Sequence, residues 1–127
     1  MIKTKKSGQL IVISAPSGCG KGSVIEGLQK RNKNLYLSIS TTTRPIRKND
    51  IPGVTYNFVT KEDFEKKIDE NYFLEYTNYV GNYYGTPKEE IKKKLDEGLD
   101  VILEIEIEGA KKIKELVPEA IFIFILN

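Results

Sequence analysis

The sequence predicts an α/β protein in which helices flank a parallel β-sheet and a small α+β lobe is inserted into the chain. Apolar runs such as Leu10–Ile13 and Ala120–Leu126 are typical of strands buried on both faces, and they alternate with helical patterns. From about Leu35 to Gly85 this alternation gives way to polar loops and tyrosine-rich segments. We therefore expect core residues at 1–39 and 87–127, and the inserted lobe at 40–86.

The first predicted strand leads into a glycine-rich turn and then a helix expected over Lys21–Lys30. The turn comprises Ala15, Pro16, Ser17, Gly18, Cys19, Gly20, Lys21, Gly22 and Ser23. Its small residues let successive backbone N–H groups face one point, where the lysine charge and the helix dipole also attract anions. This predicts a phosphate-binding loop of the P-loop NTPase type. The alternative is a turn rich in small residues with an incidental lysine.

The loop departs twice from the pattern G-x-x-x-x-G-K-[ST]. Ala15 stands at the first glycine, and Gly22 stands where a hydroxyl usually ligates Mg²⁺. We therefore expect Ser23 or bound waters to replace that magnesium ligand.

Composition narrows the classes of function. A chain of 127 residues allows one domain with a modest core, and a net charge of +2 is too small to indicate nucleic-acid binding. The single cysteine, Cys19, excludes an intramolecular disulfide and suits a reducing compartment, and the lack of histidine removes histidine-based acid–base chemistry. No apolar segment is long enough for a signal peptide or a membrane span. We expect a cytoplasmic protein with no membrane or nucleic-acid partner.

The inserted lobe is expected to contain short strands and one helix. Strand-like segments at Leu35–Ser40 and Thr55–Val59 flank a polar loop. Thr60, followed three residues later by Asp63, is typical of a helix N-terminus. The apolar face of that helix is expected to comprise Phe64, Ile68 and Phe73. The alternating aromatics of Tyr72–Gly85 then predict short strands with one solvated face.

The chain then returns to the core. We expect a helix that starts at Thr86–Pro87 and ends at Gly98, followed by a strand at Val101–Ile107 and a helix at Gly109–Val117. A last apolar strand, Ala120–Leu126, needs both of its faces packed. We therefore expect the chain to be truncated after that strand.

Two glutamates, Glu104 and Glu106, lie on the predicted strand Val101–Ile107. Period-two alternation places both carboxylates on one face near the strand's carboxyl end, where open α/β sheets bind ligands. Such acids hold Mg²⁺ through water or accept hydrogen bonds from a base edge. The alternative is an edge strand with a solvated acidic face, although three like charges, with Glu108, would repel one another without a cation.

Arg44 and Arg47 follow a hydroxyl-rich strand end, and they are two of only three arginines in the chain. Arginine recognises phosphate through paired N–H donors. The pair therefore predicts a second phosphate site, against the alternative of ordinary surface charges. A phosphoryl-transfer enzyme with two nucleotide substrates needs two such sites.

Glu75 lies within a cluster of tyrosines: Tyr72, Tyr76, Tyr79, Tyr83 and Tyr84. Packing of the lobe accounts for tyrosines in half-buried strands. A carboxylate among aromatic rings can also accept N–H bonds from a purine edge while a ring stacks nearby.

The chain resembles the guanylate kinase family over essentially its whole length. The resemblance is carried by six segments in this order and at these spacings: SAPSGCGKGS, SISTTTRPIR, GVTYNFV, FLEY, GNYYGTP and LEIEIEGA. The family tolerates both Ala15 and Gly22 in the loop. The resemblance implies transfer of the γ-phosphoryl group of ATP to GMP, with Mg²⁺, to give ADP and GDP.

The resemblance also implies a role for individual residues. Ser17–Ser23 would hold the ATP phosphates, and Lys21 would stabilise the transferring charge. The GMP phosphate would be bound by Arg44, Arg47, Tyr56 and Tyr84. The guanine edge would be read by Ser40, Glu75, Thr86 and Glu106. Glu104 would lie near the metal and the phosphates, and closure of the lobe would exclude water.

Two features of the sequence depart from the family pattern. The family generally has aspartate at the position of Glu106, and it continues past Leu126 with an arginine-bearing lid. We therefore expect this chain to bind GMP better than it catalyses the transfer.

Two other classes of function remain as alternatives. One alternative is a non-enzymatic guanylate-kinase-like module that binds phosphopeptides, which the intact Lys21 argues against. The other is a nucleoside monophosphate kinase for another base, although Glu75 and Ser40 favour guanine.

Overall fold

The computed structural model describes residues 7–14 and 21–125, except for the side chains of residues 21–24. The described residues form two compact units. The first unit combines the described parts of Met1–Leu37 and Glu90–Asn127, and the second is Ser38–Glu89. The elements in chain order are β1 (Leu10–Ser14), α1 (Lys21–Arg31), β2 (Leu35–Leu37), β3 (Thr41–Thr42), β4 (Asn57–Phe58), α2 (Lys61–Asp69), β5 (Phe73–Tyr79), β6 (Asn82–Pro87), α3 (Lys88–Asp96), β7 (Asp100–Glu104), α4 (Ile107–Leu116) and β8 (Ile121–Phe124).

The first unit contains a four-stranded sheet in the order β2-β7-β1-β8, and all of its strand pairs are parallel. Its central strands are apolar because both faces are covered. The side chains of Val12, Ile13, Val101, Ile102 and Leu103 are at most 1% exposed. The predicted α/β class with a parallel sheet and flanking helices is confirmed.

Strand β7 ends earlier than the sequence pattern predicted. It stops at Glu104, and Glu106 is the N-cap of α4 with φ −73° and ψ 165°. Glu108 then lies in the first turn of α4, where the positive end of the helix dipole favours an acidic side chain. The expectation of three glutamates along one strand face was therefore wrong. The edge-strand alternative was also wrong, because β7 lies between β2 and β1.

The start of α3 also differs from the prediction. Thr86 and Pro87 are the last residues of β6, and Pro87 pairs with Phe73 of β5, so α3 begins at Lys88. The sheet hydrogen bonds extend to this point, and they keep Pro87 out of the helix. At the other end Gly98 has φ +88°, a conformation that glycine adopts without strain, and the helix stops there as predicted.

The second unit contains a mixed sheet in the order β4-β3-β6-β5, with α2 packed on one face. Helix α2 begins as predicted, since the hydroxyl of Thr60 accepts a 3.1 Å hydrogen bond from the N–H of Asp63. Phe64 of α2 is fully buried, and its ring stacks on Phe73 and Tyr83 with centroids 4.4 and 4.8 Å apart. Phe73 was predicted on the face of the helix, and it lies instead on β5, where it meets Phe64 across the interface.

Strands β5 and β6 form a hairpin that closes through Val80 and Gly81. Both residues have positive φ, 51° and 80°, as a two-residue turn of this kind requires. Packing requires glycine at position 85 of β6, because an added Cβ would lie 2.6 Å from the Phe73 ring and 2.9 Å from Phe64. Among the described residues, no helix is both long and apolar enough to cross a bilayer.

Candidate functional site

One face of the sheet in the second unit carries three of the residues predicted to bind GMP, namely Glu75, Tyr84 and Thr86. Glu75 pairs with Thr86 across β5 and β6, and Thr77 pairs with Tyr84. Tyr84 in turn pairs with Thr42 of β3. Directly opposed residues of an antiparallel pair share a face, so these five side chains lie on the same side of the sheet. The opposite side, which includes Tyr83 and Gly85, packs on Phe64 of α2.

A buried acid–hydroxyl pair stands at one end of this face. The hydroxyl of Thr86 donates a 2.7 Å hydrogen bond to Oε2 of Glu75, and the two residues are 1% and 7% exposed. A carboxylate has acceptor capacity on both oxygens, so one threonine hydroxyl does not exhaust it. The pair is therefore suited to accept N–H donors from a ligand, and guanine presents such donors on its Watson–Crick edge.

Arg44 is held in place by an acid that the sequence reasoning missed. Its Nη1 and Nη2 donate to Oδ2 and Oδ1 of Asp50 at 2.9 and 3.2 Å, and the two side chains are each 8% exposed. Nη1 also donates to the carbonyl of Pro45 at 3.1 Å. The guanidinium lies 5.0 Å from the Tyr56 ring centroid and 5.6 Å from that of Phe58. Arg44 is thus fixed by an ion pair and by two aromatic rings.

The Arg44–Asp50 contact stabilises the charged form of both groups. Hydrogen bonding from Arg44 lowers the pKa of Asp50 below its ordinary value, and the backbone N–H of Arg47, 2.7 Å from Oδ2, lowers that pKa further. The hydrogen bond to Asp50 in turn raises the pKa of Arg44. A signal for this pair was present in the sequence, because Asp50 follows Arg47 at the same three-residue spacing that separates the two arginines.

The other predicted ligands of the GMP phosphate are grouped around Arg44 to different extents. The rings of Tyr56 and Tyr84 are half-buried, with centroids 5.8 Å apart. Arg47 is exposed, and its backbone rather than its side chain contacts Asp50. Ser40 precedes β3, and its carbonyl accepts a 2.9 Å hydrogen bond from the N–H of Asn57. The structure therefore brings Arg44, Tyr56 and Tyr84 together and places Arg47 at the surface of the same loop.

The residues predicted to bind ATP, the phosphoryl donor, belong to the first unit. Glu104 ends β7 and pairs with Ile13 of β1, one residue before Ser14. The predicted residues Ala15, Pro16, Ser17, Gly18, Cys19 and Gly20 lie outside the described residues, as do the side chains of Lys21 and Ser23. The backbone of Gly22 lies in α1. Glu106, at the N-cap of α4, is half-buried. The end of β7 thus borders the point where the predicted phosphate loop leaves β1.

The chemistry of these groups suits a magnesium ion that arrives with a nucleotide. Among the described residues, no group of three or more His, Cys, Asp or Glu side chains could hold a metal by itself. Mg²⁺ is usually bound by one or two carboxylates together with substrate phosphates and waters. Glu104, at the carboxyl end of β7, is a carboxylate of the required kind. Glu104 therefore fits a magnesium ion that is bound mainly through nucleotide phosphates and waters.

Comparison with known proteins places this geometry in a family. The sequence model of the guanylate kinase family, described as "Guanylate kinase", matches residues 7–127. The chain belongs to the guanylate kinase family. The resemblance noted in the sequence is therefore confirmed.

Guanylate kinase relatives show how much of the family's length this chain covers. It is 56% identical to a guanylate kinase of Clostridium tetani over 121 residues, which are 95% of this chain and 58% of the relative. It is 50% identical to one of Clostridium perfringens over 98% of this chain and 58% of the relative. The crystal structure of guanylate kinase from Anaplasma phagocytophilum matches with a TM-score of 0.81 and 32% identity, over 96% of this chain and 61% of that one. The chain thus spans about three fifths of the length of the guanylate kinases it matches.

Proposed function

We propose that this chain binds GMP and ATP and takes part in transfer of the γ-phosphoryl group of ATP to GMP, giving ADP and GDP. The observation that carries the proposal is the placement of the Glu75–Thr86 pair and the Arg44–Tyr56–Tyr84 group in one compact unit. A nucleoside monophosphate has a base with N–H donors at one end and a phosphate at the other. The two groups of side chains match these two ends.

At the base end, Glu75 accepts N–H donors of guanine, while Thr86 holds the carboxylate in place and Ser40 adds a further polar group. Adenine presents an acceptor where guanine presents the N1–H donor, so a carboxylate disfavours adenine. The resemblance implies the same role for Glu106, which lies in the first unit. The family generally has aspartate at that position, and glutamate is longer by one methylene group.

At the phosphate end, Arg44 has N–H donors that no described residue uses. Its hydrogen bonds to described residues use Nη1 and one hydrogen of Nη2, so Nε–H and the second Nη2 hydrogen are left for a phosphate. Two such N–H groups bind phosphate oxygens side by side, which fixes orientation as well as position. Arg47 and the hydroxyls of Tyr56 and Tyr84 complete the proposed site. Arg44 and Arg47 would also stabilise negative charge as the phosphoryl group moves.

On the donor side, the backbone of residues 15–23 would bind the ATP phosphates and Lys21 would neutralise charge on the transferring group. Glu104, through water, and Ser23 would hold Mg²⁺, which would reduce the charge of the phosphates. The residues then act by positioning and electrostatics, with no covalent intermediate on the protein.

The test is an assay that couples ADP production to NADH oxidation. We expect GMP-dependent ADP production that is lost in Lys21→Ala and is absent when AMP or CMP replaces GMP. Direct titration with GMP in the absence of ATP provides a second readout, which Lys21→Ala should leave unchanged. If GMP does not bind, the proposed GMP site is wrong. If GMP binds but a phosphoserine peptide displaces it and binds with higher affinity, the site belongs to a peptide-binding module.

A further inference from the structure

The sheet face of the second unit contains a buried hydroxyl that neither the proposed function nor a hydrogen bond to a described residue accounts for. Thr77 of β5 is 8% exposed, and its Oγ1 has no hydrogen-bond partner among the described residues. A polar atom buried in this way is costly for a fold, and such atoms normally have a partner in protein, water or ligand. The position of Thr77 therefore requires an explanation.

Neighbouring threonines on the same face show that the missing partner is specific to Thr77. The hydroxyl of Thr42 donates to the carbonyl of Tyr83 at 2.8 Å and accepts from the N–H of Arg44 at 3.0 Å. The hydroxyl of Thr86 donates to Glu75 at 2.7 Å. Both are as deeply buried as Thr77 or more so. Buried hydroxyls on this face thus form hydrogen bonds wherever the sheet supplies a partner, and Thr77 is the exception among the three.

The register of the hairpin places Thr77 next to one residue from each end of the proposed GMP site. It follows Glu75 by two residues on β5, so both side chains lie on one face about 7 Å apart along the strand. It is directly opposite Tyr84 of β6. Glu75 is the proposed reader of the base, and Tyr84 is a proposed ligand of the phosphate. A nucleotide that reaches from one to the other passes over Thr77 with its sugar.

We propose that Thr77 is a further nucleotide-binding residue whose Oγ1 hydrogen-bonds to a ribose hydroxyl of the bound GMP. The inference rests on the proposed function, since it takes the orientation of GMP from Glu75 and Tyr84. A ribose hydroxyl both donates and accepts, as a threonine hydroxyl does, so the two groups satisfy each other in either direction. Thr77 then makes the site prefer ribonucleotides over the deoxyribonucleotide that lacks the contacted hydroxyl.

The test compares Thr77→Val, which replaces the hydroxyl by a methyl group of similar shape, with Thr77→Ser, which keeps the hydroxyl. Dissociation constants for GMP, 2′-deoxyGMP and 3′-deoxyGMP are measured by calorimetry with the wild type and both variants. We expect Thr77→Val to weaken GMP binding by about three- to tenfold, the usual effect of one neutral hydrogen bond. The loss should disappear for the deoxynucleotide that lacks the bonded hydroxyl, and Thr77→Ser should restore most of the affinity for GMP.

Two results would overturn the inference. One is Thr77→Val binding GMP as tightly as the wild type does. The other is a loss of equal size for all three nucleotides, which would mean that Thr77 does not contact a ribose hydroxyl. If the wild type itself fails to bind GMP, the proposed function fails instead, and the two failures are therefore distinguishable.

Matched controls separate this contact from a change in the fold. Asn78→Val alters the next residue of β5, whose exposed side chain lies on the opposite face of the strand, and it should leave all three dissociation constants unchanged. Thermal unfolding checks the integrity of each variant. Thr77→Val should unfold at the same temperature as the wild type or higher, because it removes a buried hydroxyl that has no hydrogen-bond partner in the described part of the chain. Thr77→Ala carries the same ligand comparison if the valine variant does not fold.

Discussion

The two compact units bury different kinds of side chain. In the first unit the buried residues of the sheet and helices are almost all aliphatic, with Val12, Ile13, Val101, Ile102 and Ile113 at most 1% exposed. In the second unit the buried apolar side chains among the described residues are Phe64, Phe73 and Pro87. The buried polar residues there are Ser38, Thr41, Thr42, Arg44, Glu75, Thr77 and Thr86.

This difference indicates that the two units meet different physical demands. Burial of aliphatic surface stabilises a fold without specifying a ligand. Burial of polar groups is costly unless each has a partner, so a small unit that buries several of them is suited to recognition more than to stability. We expect substitutions in the first unit to act mainly on the free energy of unfolding, and substitutions on the polar face of the second to act mainly on GMP binding.

The largest expected effect tests the aliphatic core. Ile102 is fully buried on β7 in a cluster with Ile13 and Ile25. Ile102→Ala should lower the free energy of unfolding by about 2–5 kcal/mol, because it removes buried methyl groups and leaves a cavity. Urea denaturation measures the change. Leu116→Ala, at a side chain 58% exposed, is the control and should cost far less; equal costs would show that the core does not dominate stability.

The next effect tests the polar face. Glu75→Gln keeps the shape of the side chain but replaces one carboxylate oxygen by an N–H₂ group, which cannot accept from guanine. We expect GMP binding to weaken by roughly 10- to 100-fold, the usual cost of losing a charge-assisted hydrogen bond. Calorimetric titration measures the change. Glu89→Gln alters charge equally at an exposed site of the same unit and should bind as the wild type does. A large loss of folding stability without a loss of GMP affinity would contradict the expectation that the polar face of the second unit acts mainly on binding.

A smaller effect is expected at Asp50, which positions Arg44 without being a proposed ligand. Asp50→Asn removes one of the two carboxylate oxygens that bind the guanidinium, so GMP binding should weaken by roughly fivefold, in the range of ordinary ion pairs. Asp69→Asn, an exposed acid of α2, serves as the control and should leave binding unchanged.

The same pair predicts a pH dependence of stability. The folded-state pKa of Asp50 is lowered from 3.8, so the contribution of the pair is fully present above that value. It is lost as the pH falls through the lower folded-state pKa. The stability difference between wild type and Asp50→Asn should therefore be constant near neutrality and vanish in strong acid. A difference that grows on acidification would contradict the ion pair.

The smallest effect concerns the turn of the hairpin. Val80 has φ +51° although it is β-branched, and it is 81% exposed. Val80→Asn should raise the free energy of unfolding by about 1 kcal/mol, because asparagine tolerates the left-handed conformation with less strain. Thermal denaturation measures the gain. Val54→Asn makes the same exchange at a residue 61% exposed and without positive φ, and it should give no gain.

Particular elements show what could be predicted from sequence and what could not. The first strand, α1, the Thr60 cap of α2 and the stop at Gly98 were predicted from local patterns, because each depends on residues adjacent in the chain. The ends of β6 and β7 were predicted less well. Pro87 remained in a strand because its partner Phe73 extends the sheet, and β7 gave way to α4 after Glu104. Such boundaries depend on pairing partners that are distant in sequence.

By itself, the sequence determined the α/β class, the parallel core and the family, since apolar runs, glycine turns and the order of short motifs are local properties. Only the tertiary structure paired Arg44 with Asp50 and buried the hydroxyl of Thr77, beside Glu75 and Tyr84, without a hydrogen-bond partner among the described residues. The physical reason is that hydrogen-bond partnership depends on distances of about 3 Å between side chains. Those distances are fixed by strand register and loop geometry, which the order of residues alone does not display.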